Sequence, residues 1–222
     1  MRVPPIPAFK GWQLDTELID AGSIDLLRGF SRPGAEWEPP PSEFRNGRID
    51  PPPGHKSEYA VLYTATEIQC VAAEMRVLEN VRRDHVWSVD KSKEVRVATF
   101  AVGRASLFIP LDGLNRTIFG VRGECDSDYH AYQWLGLQLF RRYGHLANGL
   151  SWESFHGEQP GRCYAIWHSR KASMELATGR DFPTLHDQPR WRAFLAACPF
   201  IRPNDTDAAA KDERTSNAEA IN

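Results

Sequence analysis

The chain has 222 residues, 41% of them hydrophobic, which is enough for one sizeable core. Charged residues make up 25%, the formal net charge is −2 and the pI is about 6.4, so no basic footprint argues for direct nucleic-acid binding. No apolar run has the length of a membrane span, and no Lys/Arg block favours a membrane surface.

The N-terminus, Met1 to Lys10, carries Pro4, Pro5 and Pro7 where a signal peptide needs an apolar helical core, so a cytoplasmic protein is expected. Residues 1–16 read as an N-terminal extension, whose Pro-rich first ten residues are expected to be extended. Ser23 to Phe30 reads as a strand with Arg28 at its centre. Residues 31–54 are crowded with proline and glycine and should be mostly loop; a loop this long is functional or mobile. A strand over Tyr59–Tyr63 follows.

Thr66 then offers an N-cap, with Gln69 three residues on, the pattern of a capping box. Ile68, Val71, Ala72, Met75 and Leu78 recur at helical spacing, and Glu74 falls at the edge of that stripe. A carboxylate there sits where a helix meets a cleft, or else is a solvated flank charge.

Glu94 to Val102 alternates like a strand, and Ser106 to Ile109 reads as a second one ending at Pro110. A helix is expected from Asp128, a candidate cap, to Tyr143, with Gly144 past its end. Gly149 to Ser154 and Arg162 to Trp167 read as two more strands, and Trp191 to Ala197 as a short helix. The tail 203–222 is polar, lacks aromatics and is expected to be disordered. The sum is one α+β domain over residues 17–202, a mixed sheet with flanking helices.

Arg28 and Arg48 are the best anion-binding candidates, because a guanidinium is a rigid fork of donors that fits phosphate oxygens. Arg48 follows Gly47, where backbone can approach a ligand closely. Taken alone, each is more often a surface or salt-bridge arginine. Tyr63 can stack on a planar ring or serve as a core aromatic. Ser154 lies in Glu153-Ser154-Phe155-His156; without a G-x-S-x-G elbow, a hydrogen-bonding hydroxyl is easier to defend than a nucleophile. No Walker A or G-x-G-x-x-G motif is present. The four cysteines, Cys70, Cys125, Cys163 and Cys198, lack zinc spacing and read as reduced thiols near a core, and no metal need be invoked.

Taken in order, these pieces resemble the RES domain family over roughly residues 17–172. The resemblance runs through Ile19-Asp-Ala-Gly22, Leu27-Arg28-Gly-Phe30, Gly47-Arg48-Ile-Asp-Pro-Pro-Pro-Gly54, Val61-Leu-Tyr63-Thr-Ala65 and Ala72-Ala-Glu74. It continues in Tyr132-Gln-Trp134, Gly149-Leu-Ser-Trp-Glu-Ser154 and Arg162-Cys-Tyr-Ala-Ile166. Trp152 stands where the family often has tyrosine, and Thr64 where it often has leucine. The family's arginine, glutamate and serine map to Arg48, Glu74 and Ser154.

The resemblance implies a fold like the ADP-ribosyltransferase toxins. It also implies the toxin role in a bacterial toxin–antitoxin pair and an Xre-type antitoxin covering the active site. NAD is implied as substrate rather than cofactor, consumed by phosphorolysis or hydrolysis. On that reading Glu74 stabilises charge at the ribose, Arg48 with Arg28 clamps the pyrophosphate, Tyr63 packs near the nicotinamide ribose, and Ser154 bonds the carboxamide or a phosphate. Transfer of ADP-ribose to a protein, a non-catalytic binding module and a serine hydrolase are the alternatives, and homo-oligomerisation stays open.

Overall fold

Arg96–Val102, where exposed or half-buried positions interrupt buried ones, is the longest strand among the described residues. The computed structural model describes residues 14–81, 84–120, 129–154, 161–177 and 181–204. Its strands are β1 (Glu17–Ile19), β2 (Asp25–Phe30), β3 (Val61–Ala65), β4 (Leu78–Val81), β5 (Asp84–Trp87), β6 (Arg96–Val102), β7 (Ser106–Pro110), β8 (Gly149–Glu153), β9 (Arg162–Trp167), β10 (Met174–Leu176) and β11 (Arg202–Pro203). Its helices are α1 (Ile68–Glu74), α2 (Val89–Glu94), α3 (Gly113–Phe119), α4 (His130–Tyr143) and α5 (Pro189–Ala197).

Eight strands form the main sheet in the order β1-β7-β8-β9-β3-β2-β6-β10. Its pairings are antiparallel except β7 with β8. A smaller sheet, β11-β5-β4, sits beside it. The period-two alternation divides the core between the two faces of the main sheet. Leu27, Val61, Ala65, Trp152, Cys163 and Trp167 pack with Val71, Leu135, Leu139 and Trp191 of the helices. Leu26, Phe30, Leu62, Phe100, Tyr164 and Ile166 form a second cluster with Met174 and Phe182.

One seam in the sheet is weak. β2 pairs six residues with β6, and β3 pairs five with β9, but β2 and β3 share the single pair Leu27↔Ala65. The two strands diverge from that point, and α1 lies across the gap.

The expected strand at Tyr59–Tyr63 is shifted two residues along the chain, to Val61–Ala65. The capping box is absent: α1 has Glu67 at its N-cap and no side-chain cap bond. The Thr66 hydroxyl instead accepts the Arg162 N–H at 3.1 Å, extending the edge where β3 meets β9. The helix also stops before Leu78, which belongs to β4. Arg76 takes a left-handed φ of 54°, the Val77 N–H reaches Ala72 O at 2.8 Å, and the Arg76 N–H reaches Ala73 O at 3.0 Å. That is a Schellman ending built without glycine.

The helix expected from Asp128 to Tyr143 is α4; it begins at His130 with Tyr129 at its N-cap, and Asp128 lies outside the described residues. Pro203 pairs with Trp87 in β11, so at this residue the expected disordered tail is instead ordered strand; residues 205–222 lie outside the described residues, as do 1–13 and Cys125. The loop 31–54 is tied down by arginines: Arg28 Nε donates to Ala35 O at 3.0 Å, and Arg45 donates to the carbonyls of Pro40, Lys56 and Tyr59. Among the described residues no helix is long and apolar enough to cross a membrane.

Candidate active site

A small, solvent-open cavity lies where β2 and β3 part. Leu27 and Gly29 line it from β2, Tyr63 from β3, Glu74 and Met75 from the end of α1, and Trp152 and Cys163 from β8 and β9. Gly29 is there because α1 presses on β2: a Cβ at this position would stand 2.7 Å from Met75 Cγ and 2.8 Å from Val71 Cγ1. The lining is largely apolar and aromatic, with one carboxylate at its exposed rim. That is the ordinary make-up of a small-molecule site.

Glu74 is the last residue of α1 and remains solvent-accessible. The Cys163 thiol donates to its Oε1 at the long distance of 4.0 Å. A hydrogen bond shared with the neighbouring Cys70 sulfur, in which Cys163 holds the proton, and burial push the Cys163 thiol well above the ordinary range, so it stays a neutral donor. The same bond holds the Cys70 thiol below its usual value. Ser154 follows β8; its Oγ is buried beside Cys70, and its N–H donates to Gly161 O at 3.0 Å.

Tyr63 presents its ring to the cavity, edge-to-face with Trp152 at 6.5 Å. Its hydroxyl accepts the Ile49 N–H at 2.9 Å, and burial raises its pKa well above that of a free phenol. It therefore holds the arginine loop and the cavity wall together. The segment Gly47 to Asp50 is clamped further: the Gly47 N–H donates to Asp50 Oδ2 at 2.7 Å, Gln133 Nε2 donates to Gly47 O at 3.0 Å, and the Tyr59 hydroxyl donates to Ile49 O at 2.8 Å.

Arg48 rises from this clamped segment and is 6% exposed. Its Cζ stands 5.1 Å from the centroid of the Tyr129 ring and 5.2 Å from that of Tyr132, both within cation–π range. Its charge is felt at Cys163, on the cavity wall. Arg28 is differently engaged: Nε donates to Ala35 O and NH1 to Tyr63 O, each at 3.0 Å. It braces the parted strands, and burial lowers its pKa to about 10, which leaves it charged at neutral pH.

The five residues singled out from the sequence thus gather in one region, though only Tyr63 and Glu74 line the cavity itself. Arg48 and Ser154 approach it through Cys163 and Cys70, and Arg28 through the Tyr63 carbonyl. Cys163, Asp50, the α4 cap residue Tyr129 and Gln133 of α4 were not singled out as site residues from the sequence. The helical spacing of Tyr129, Tyr132, Gln133 and Gly136 was the available signal.

The RES domain family model matches residues 26–187. No curated protein matches the sequence. Among solved structures, a chain of the M. tuberculosis MbcT–MbcA toxin–antitoxin complex matches with a TM-score of 0.54 at 15% identity, covering 78% of this chain and 91% of that one. The likeness is one of fold.

Proposed function

The chain belongs to the RES domain family, and from that premise we propose that it is the toxin of a toxin–antitoxin pair and cleaves the nicotinamide–ribose bond of NAD. The observation that carries the reading is the cavity between β2 and β3, where the Glu74 carboxylate meets the aromatic wall of Tyr63 and Trp152. An apolar aromatic slot accepts a planar cationic ring by stacking and cation–π attraction. It holds the neutral ring that leaves at no desolvation cost to a charge.

In the reaction the C1′–N1 bond breaks and its electron pair passes to the ring nitrogen, giving neutral nicotinamide. Positive charge builds on the ribose, as in glycoside cleavage. A water or phosphate oxygen then bonds to C1′, and water gives up a proton. No general acid is needed, because the leaving ring is already cationic. One carboxylate, Glu74, suffices to hold the ribose and offset the developing charge. Arg48 supplies the fixed donor fork for the pyrophosphate. The Ser154 hydroxyl is assigned to the carboxamide or a phosphate, and Arg28 keeps the strands apart at the width the ligand requires. An antitoxin partner fits the same reading, since an exposed catalytic carboxylate must be covered while the toxin is silent.

The test is nicotinamide release by the purified chain, followed with and without inorganic phosphate, with products weighed by mass spectrometry. ADP-ribose identifies hydrolysis and ADP-ribose 1″-phosphate identifies phosphorolysis. ADP-ribose appearing only on added proteins identifies transfer. Absence of nicotinamide release under every condition overturns the proposal.

A further inference from the structure

Tyr129, Tyr132, Gln133 and Gly136 occupy one stripe of α4 and its cap, at i, i+3, i+4 and i+7. Each of them meets the Gly47–Asp50 segment or its Tyr59 strut. Gln133 donates to Gly47 O, and the two tyrosine rings flank the Arg48 guanidinium at 5.1 and 5.2 Å. At Gly136 a Cβ would stand 2.9 Å from the Tyr59 hydroxyl and 3.3 Å from Ile49 O, so the bare α-carbon lets Tyr59 reach Ile49.

Packing alone does not explain this stripe. The neighbouring Leu135, Leu137 and Leu139 already anchor α4 in the core. Gln133 is 7% exposed, and a buried amide is costly unless it is bonded. An arginine side chain has many rotamers, and fixing it beforehand is how a site gains affinity without a new contact.

We propose that this face of α4 is a positioning element for Arg48: Gln133 sets the loop, and Tyr129 and Tyr132 set the plane of the guanidinium, acting on the ligand only through that arginine. The inference rests on the reading of Arg48 as the pyrophosphate clamp.

The test pairs Gln133→Met, which keeps the volume and removes the donor, with Arg48→Ala. Loss of one oriented hydrogen bond should raise KM for NAD about tenfold with kcat within about twofold of wild type. In the Arg48→Ala background the same change should leave KM within about twofold, because the arginine it acts through is gone. Equal factors in the two backgrounds overturn the proposal, since a merely structural glutamine would act alike in both. A second measurement needs no activity: the rate at which phenylglyoxal modifies Arg48, read by peptide mass spectrometry. Gln133→Met should speed modification of Arg48 several-fold while that of exposed Arg190 is unchanged; an unchanged Arg48 rate overturns the proposal. If wild type releases no nicotinamide, the NAD reading fails, and the modification rates still decide whether α4 holds Arg48.

Discussion

Glu74→Gln keeps the shape of the side chain and removes its charge. If that charge faces the developing ribose cation, turnover should fall on the order of a hundredfold or more, as it does when one preorganised electrostatic group is lost. NAD affinity, measured by calorimetry, should change little, because the ground-state ribose carries no such charge. Turnover near wild type would remove Glu74 from the chemistry. Arg48→Ala should show the reverse pattern, a weakened NAD affinity ahead of any change in the chemical step. The residue types behind these expectations were legible in the sequence. Arg48 follows a glycine in a proline-rich loop, and Glu74 edges an apolar stripe. The partners were not. The Cys163 contact to Glu74 joins residues 89 positions apart, and the Gln133 bond to Gly47 spans 86. Such pairings are fixed by tertiary packing, and local periodicity does not encode them.

At the scale of elements, the end of α1 departs from its periodicity for a specific reason. The apolar stripe continues through Leu78, so periodicity extends the helix into what is β4. What stops it is Arg76 at a left-handed φ, a place where glycine is the usual marker. For an L-residue that conformation costs roughly 1–2 kcal/mol, partly offset in any glycine variant by greater freedom of the unfolded chain. Arg76→Gly should therefore stabilise the protein by up to about 1 kcal/mol, seen as a higher urea midpoint at constant m-value. A destabilised variant would mean that the Arg76 side chain holds more than the turn costs. The hairpin β4–β5 and the three-residue strands β1 and β10 escaped the sequence because segments so short carry little periodicity. The long strands β6 and β9, of seven and six residues, were read nearly to their ends.

For the whole molecule, pH exposes the cost of building the arginine loop. Asp50 is 4% exposed, and burial raises its pKa even though it accepts the Gly47 N–H and feels Lys56, Arg45 and Arg28. A raised folded pKa means that the native state holds its proton more tightly than the unfolded chain, whose aspartate titrates near 3.9. The stability Asp50 contributes is therefore full below that unfolded value and lost as pH rises through the folded one. Glu58 runs the other way. Bonds from Arg141 and His55 hold its pKa at about 2, so its contribution is present above the unfolded glutamate value and lost as pH falls toward 2. Lying at the surface, that group is screened and contributes little. Asp50→Asn removes the buried charge while its amide oxygen can still accept the Gly47 N–H. The stability of Asp50→Asn relative to wild type should accordingly rise between pH 4 and pH 7, read from urea midpoints across that range. A difference independent of pH would place the Asp50 carboxylate in balance with its three cations, and the Arg48 loop would then be held without electrostatic strain.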